Sequence, residues 1–209
     1  MTGGCGCMAR EISEIKKELE TEAEINHVPI IRGDERELLL QAACIVQPER
    51  ILEIGTAIGY SALLLAERFP FAVIDTIEID GERHKKAVSV MEEAGISHRV
   101  HCHLGDAAEI IPALEGPYDF VYLDGPKGQY LRHLQLVEPM LSEAAVIAAD
   151  NVLFRGLVRS SESIAHRYRT IVTRLREYMS YVDRNYDTRV YENGDGLAVS
   201  VRRKTDKEK

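Results

Sequence analysis

Four cysteines in 209 residues, none in C-x-x-C spacing, leave no zinc-type thiolate pair. Cys5 and Cys7 fall in a Gly-rich leader, Met1 to Met8, expected to be disordered and to precede the first helix, with Met8 a possible start. Cys44 and Cys102 lie in apolar stretches and are expected as small core residues. No run of eighteen apolar residues occurs, so a membrane-spanning helix is not expected. The N-terminus also lacks the charged and apolar regions of a signal peptide, which predicts a cytoplasmic protein. A basic excess is missing too. The net charge is -8, unlike a generic nucleic-acid binder. Finally, no G-x-G-x-x-G follows a strand, which speaks against a dinucleotide-binding dehydrogenase.

What remains is an ordinary globular composition, 45% apolar and 29% charged, and a length that suits one domain over residues 9 to 209. Residues 9–26 carry Ile12, Ile15, Leu19 and Ala23 at helical spacing. Asp34 is the expected N-cap of a second helix running from Glu35 to Val46. Strand and helix then alternate. Strands are expected at 50–54, 72–79, 99–104, 118–123 and 144–149, and helices at 60–69, 82–94, 107–114 and 130–141. Strands as apolar as Ala-Val-Ile-Ala-Ala are buried on both faces, so the pattern predicts an open, doubly wound, mostly parallel α/β sheet. A long helix over roughly Ser161 to Glu177 follows, then Tyr178 to Arg184, then the turn Asn193-Gly-Asp-Gly196 and a strand at 197–203, together an antiparallel C-terminal edge.

Ligands of such sheets sit beyond the carboxyl ends of the strands. Glu53-Ile-Gly-Thr-Ala-Ile-Gly59 places Gly55 and Gly59 in the loop after the first strand, where backbone and helix N–H groups can approach a ligand. Ala57 and Tyr60 stand where a dinucleotide site needs glycine, so the cradle suits a cofactor without phosphates, such as S-adenosylmethionine. Glu78, ending the second strand, is placed to accept from ribose hydroxyls, and Gly105-Asp-Ala107 follows the third strand. The alternative for the two glycines is a tight turn without a ligand.

Asp124 ends the fourth strand, and Asp150-Asn151 end the fifth, 26 residues later. Two carboxylates and an amide oxygen suit Mg²⁺ or another hard divalent cation, and no histidine joins them to favour zinc. Read singly, each aspartate is equally a turn former or helix cap. His101 and His103 share a strand face without a third ligand and are expected to be structural.

These stretches together resemble the cation-dependent class I S-adenosylmethionine O-methyltransferases, the catechol and caffeoyl-CoA type. The resemblance covers residues 25–203 through E-I-G-T-x-x-G-Y-S (53–61), E-I-D (78–80), G-D-A (105–107), Y-D-F-V-Y-L-D (118–124), D-N-V-L (150–153) and G-D-G-L (194–197). It implies a seven-stranded Rossmann-like methyltransferase sheet with extra N-terminal helices and a homodimer. It also implies cofactor contacts from Glu53, Gly55, Gly59, Tyr60, Ser61, Glu78, Asp106, Ala107 and Asp124, with metal ligands Asp124, Asp150 and Asn151. Lys127 matches the general base of these enzymes, and Tyr130 an aromatic neighbour.

Within that family the chain is most similar to a bacterial branch that includes tRNA 5-hydroxyuridine methyltransferases, through Val28-Pro29-Ile30, Asp124-Gly-Pro-Lys127 and Asp150-Asn-Val-Leu-Phe-Arg-Gly156. The aromatic-rich insertion of phenylpropanoid enzymes is not evident, tryptophan is absent, and Phe154 stands where relatives carry a larger aromatic. The implied acceptor is 5-hydroxyuridine in tRNA, giving 5-methoxyuridine. The alternatives are a small catechol-type phenol and a non-catalytic S-adenosylmethionine-binding regulator. Residues 151–190 hold eight arginines, from Arg155 to Arg189, against four acidic residues, a net +4. That segment is either a solvated helix face or a surface for RNA phosphates.

Overall fold

A computed structural model describes residues 9–31 and 33–203; the leader expected to be disordered lies outside the described residues. Helices α1 (Ile12–Ile25) and α2 (Asp34–Cys44) come first. They are followed by β1 (Arg50–Ile54), α3 (Tyr60–Arg68), β2 (Val73–Glu78), α4 (Gly81–Glu93), β3 (Val100–Leu104), α5 (Ala107–Ile110) and β4 (Tyr118–Leu123). The chain continues through α6 (Tyr130–Val137), β5 (Leu141–Ala149), α7 (His166–Asn185), β6 (Tyr186–Tyr191) and β7 (Leu197–Arg202).

The seven strands lie in the order β3-β2-β1-β4-β5-β7-β6. β1 to β5 pair in parallel, and β7 is antiparallel to both of its neighbours. This is the expected doubly wound sheet with an antiparallel C-terminal edge. Because successive side chains of a strand point to opposite faces, two cores form. Ile51, Ile74, Phe120 and Tyr122 pack under α1 to α4. Leu52, Ile54, Val121 and Ile147 pack under α5 to α7. The chain leaves β1 toward β2 on one side and reaches β4 on the other, so the order reverses between β1 and β4. Loops diverge there and open a crevice at the carboxyl edge.

The structure corrects several local expectations. Tyr178 to Arg184 continues α7 instead of leaving it, because Val172, Leu175, Tyr178 and Val182 form one buried helical stripe. The helix starts at His166, later than Ser161. Tyr178 and Tyr186 are core residues. Asp34 is the first helical residue of α2, preceded by Gly33 at φ +53°, and does not cap it. A side-chain cap is found instead on α4, where Asp80 Oδ1 accepts from the N–H groups of Glu82 and Arg83. Cys44 and Cys102 are half-buried at the margin of the core. His103 is structural as expected, its Nε2 lying 2.8 Å from Asp75 Oδ1. Among the described residues, no helix is long and apolar enough to cross a membrane.

Candidate active site

The crevice at the switch point is a cavity of about 420 Å³, within the range of small-molecule sites. Its walls come from the ends of all five parallel strands, β1 to β5. The loops after four of them are pinned by a bond that carries a sheet ladder one residue past the strand: Gly55 N–H to Ile77 O, Gly105 N–H to Glu78 O, Asp124 N–H to Ile54 O and Asp150 N–H to Leu123 O, all 2.9 Å. The sheet therefore sets where these residues stand. Gly55 has φ +107°, and a Cβ there would lie 2.6 Å from the carbonyl oxygen of Asp124. Glycine is what lets the first and fourth loops touch.

On the β2 side, Glu78 is buried and held by two backbone donors, Ala57 N–H to Oε2 at 2.8 Å and Asp80 N–H to Oε1 at 2.9 Å. Each oxygen keeps acceptor capacity toward the cavity. Asp106 and Ala107 line the next stretch of wall, and Asp106 Oδ1 also caps α5 by accepting from Ala108 N–H at 2.8 Å.

Asp124, Lys127, Asp150 and Asn151 meet at the opposite end. Lys127 Nζ lies 3.9 Å from Asp124 Oδ1. Asp150 Oδ1 accepts from the backbone and side-chain amides of Asn151, at 2.7 and 3.2 Å. That turns the Asn151 amide nitrogen toward the protein and leaves its oxygen as a spare ligand. Tyr130, buried at the start of α6, donates its hydroxyl to Asp150 O at 3.0 Å.

Desolvation first, and then Asp150, push the Asp124 carboxyl up to about 8. The Asp150 carboxyl is also raised, chiefly by burial, and Lys127 eases both. Two carboxylates forced together at a cavity wall are the donor set a hard divalent cation fits. Among the described residues no group of three or more His, Cys, Asp or Glu could hold a metal. The candidate ligand set is thus two carboxylates and one amide.

Four expected cofactor contacts, Glu53, Gly59, Tyr60 and Ser61, do not line the cavity but stand behind its first loop. Glu53 is fully buried and accepts from the Thr76 hydroxyl. Ser61 is buried at the start of α3, and Thr76 is linked in turn to Thr56. A Cβ on Gly59 would press on Met91 and Ala87 of α4, so this glycine serves helix packing. The Tyr60 hydroxyl is tied to Glu20 and Arg36.

Burial pushes the Glu53 carboxyl up to about 7, overriding the hydroxyls that favour its ionised form. Its unfolded value is about 4.3. Between those values the folded protein holds a proton that the unfolded chain has released, so this residue makes stability fall as pH rises from about 4.3 to 7. Glu53→Gln should flatten that slope, seen as a parent-minus-variant difference in denaturation midpoint that changes between pH 5 and pH 8. A pH-independent difference would mean Glu53 titrates normally.

Two wall residues escaped the sequence reading. His133 is 1% exposed and lines the cavity, and neither ring nitrogen has a hydrogen-bond partner. Burial lowers its pKa, so the imidazole is neutral, one donor and one acceptor. Gln129 Oε1 is likewise buried, unpartnered and on the wall. Buried polar atoms without partners mark a place a ligand completes. Helical spacing held the signal: His133 falls in the apolar stripe of Tyr130, Leu134 and Val137.

A family model described as O-methyltransferase matches residues 8–204. The chain belongs to the O-methyltransferase family. Catechol O-methyltransferase of Mycobacterium tuberculosis is 29% identical over 183 residues, covering 86% of this chain and 83% of that protein. Caffeoyl-CoA O-methyltransferase of Medicago sativa is 26% identical over 182 residues, covering 81% and 73%. Among solved structures, the O-methyltransferase TomG of Streptomyces achromogenes, in complex with SAM, matches with TM-score 0.77 at 26% identity over 93% of this chain and 92% of that one. A Staphylococcus aureus structure reaches TM-score 0.82 at 27% identity, over 90% and 92%. The expected fold and enzyme class are both borne out.

Proposed function

We propose that this O-methyltransferase moves a methyl group from S-adenosylmethionine to a hydroxyl with a vicinal oxygen, that it depends on a divalent cation, and that its acceptor is 5-hydroxyuridine in tRNA. The carrying observation is the convergence in one cavity of Gly55, Glu78 and Ala107 with Asp124, Lys127, Asp150 and Asn151. Glu78 would accept from the ribose hydroxyls, Asp106 and Ala107 would face the adenine, and His133 and Gln129 would give the cofactor polar partners. Asp124, Asp150 and Asn151 would hold the cation. When bound there it supplies Lewis acidity and a template that lowers the acceptor hydroxyl's pKa. Lys127 Nζ is the group placed to receive that hydroxyl's proton. With the cofactor bound, the site would align the acceptor oxygen behind the methyl group for in-line transfer from sulfur to oxygen.

Support for RNA is the exposed basic rim next to Asn151. Arg155 and Arg167 both stack on the Tyr168 ring, at 5.7 and 4.6 Å, and Phe154 meets that ring edge-on at 5.6 Å. A second reading, a small catechol-type phenol, is favoured by arginines already committed within the chain. Arg159 pairs with Glu192, Arg174 with Glu177, and Arg176 binds the carbonyls of Leu157, Val158 and Ser160.

If Arg155, Arg167 and Arg169 each neutralise one phosphate, raising salt from 50 to 200 mM should weaken tRNA binding by about 20- to 40-fold. Transfer to catechol should hardly respond to salt. Equal salt responses, or catechol turnover that tRNA does not compete with, would favour the phenol.

A further inference from the structure

The loop after β5 that carries Asn151 has an unusual backbone. Asn151, Phe154 and Arg155 have φ of +53°, +42° and +58°, followed by Gly156 at +73°. Side-chain-bearing residues avoid that region and persist there only when their surroundings hold them. Here the holder is the turn between β6 and β7. Gly196 O accepts from Val152 N–H at 3.0 Å, and Asp195 O from Leu153 N–H at 2.8 Å. Asp195 Oδ1 accepts from Arg155 N–H at 2.8 Å. The turn seats directly on the loop, because a Cβ on Gly196 would stand 2.5 Å from Leu153 Cγ. Its other side touches a wall of the cavity: the Glu35 carboxylate leaves no room for a Cβ on Gly194.

We infer that Asp195 is a positioning residue whose side chain fixes the left-handed stretch of this loop, and with it the placement of Asn151 and Asp150 at the acceptor end. It touches neither the cavity nor the reacting atoms. Its carboxylate oxygen replaces the partner that the Arg155 N–H would have in a regular structure, and its carbonyl does the same for Leu153. The inference rests on the proposed reading of that end as the cation and acceptor end, but the loop clamp itself can be tested apart from it.

The experiment compares the full-length parent with Asp195→Ala and Asp195→Asn. Three quantities are measured: amide hydrogen exchange of residues 152–156, S-adenosylmethionine affinity, and methyl transfer over a magnesium titration. Asp195→Ala should exchange about tenfold faster in that segment and lose about tenfold in kcat/KM for the acceptor, the worth of one hydrogen bond to a charged group. Its magnesium requirement should rise while cofactor affinity stays at the parent value. Asp195→Asn keeps an acceptor oxygen and should restore both exchange and turnover.

Parent-like exchange in Asp195→Ala would overturn the inference. So would an Asn variant as impaired as the Ala variant, or cofactor affinity falling in step with turnover. A parent that turns over without magnesium would refute the cation reading instead, and the exchange data would still decide the clamp.

Discussion

Asp124→Asn is expected to cut methyl transfer by on the order of 10³-fold while S-adenosylmethionine still binds. The carboxylate stands with Lys127, Asp150 and Asn151 at one end of the cavity, its backbone fixed by Ile54 O and its loop pressed against Gly55. Asparagine preserves shape and removes charge, so the sheet and the cradle around Glu78 remain. What disappears is one of two carboxylates that together attract a divalent cation, and an amide is a far weaker partner for it. Turnover at saturating magnesium, alongside cofactor binding by calorimetry, measures both effects. Full activity in this variant would remove Asp124 from the cation site, and lost cofactor binding would show that the two ends of the cavity are not separable.

Lys127→Met carries the second large effect, a fall in kcat of about 10²- to 10⁴-fold with cofactor and cation binding kept. Lys127 sits in the short turn Lys127–Gln129 after Pro126, its side chain only 19% exposed. Methionine fills the same space without a proton acceptor. Arginine should not rescue, because a guanidinium does not give up its proton in the working pH range. A variant within threefold of the parent would mean that the hydroxyl proton goes elsewhere.

Much of this site was legible because strand ends are. Parallel strands buried on both faces are nearly continuous apolar runs, so their last residues can be placed, and Glu78, Asp124 and Asp150 were read there from pattern alone. The loop glycine Gly55 was legible as a close approach, though its actual neighbour, the Asp124 carbonyl, is set by the sheet order. Motif membership did not separate Glu53, Gly59, Tyr60 and Ser61, which fall outside the cavity lining, from the residues that form it. Residues that build a cradle and residues that line it look alike in a linear pattern. His133 and Gln129 were missed for the opposite reason, being outside the motifs and revealed only by their lack of partners. The arginine segment read as one basic surface, but α7 turns its arginines in several directions. Arg176 faces the protein's own carbonyls and Arg167 stacks on Tyr168. Tyr178 to Arg184 was misplaced because tyrosines and valine favour strands in isolation, and only the buried stripe of α7 decides for helix.

The most direct test of the central claim is transfer of labelled methyl from S-adenosylmethionine to 5-hydroxyuridine-containing tRNA and to a simple catechol, each with magnesium and with chelator. Labelling that needs magnesium, vanishes in chelator and returns on re-adding the ion is the predicted result. Labelling that proceeds equally in chelator would contradict the account, leaving Asp124, Asp150 and Asn151 as loop-shaping residues beside a cation-independent transferase.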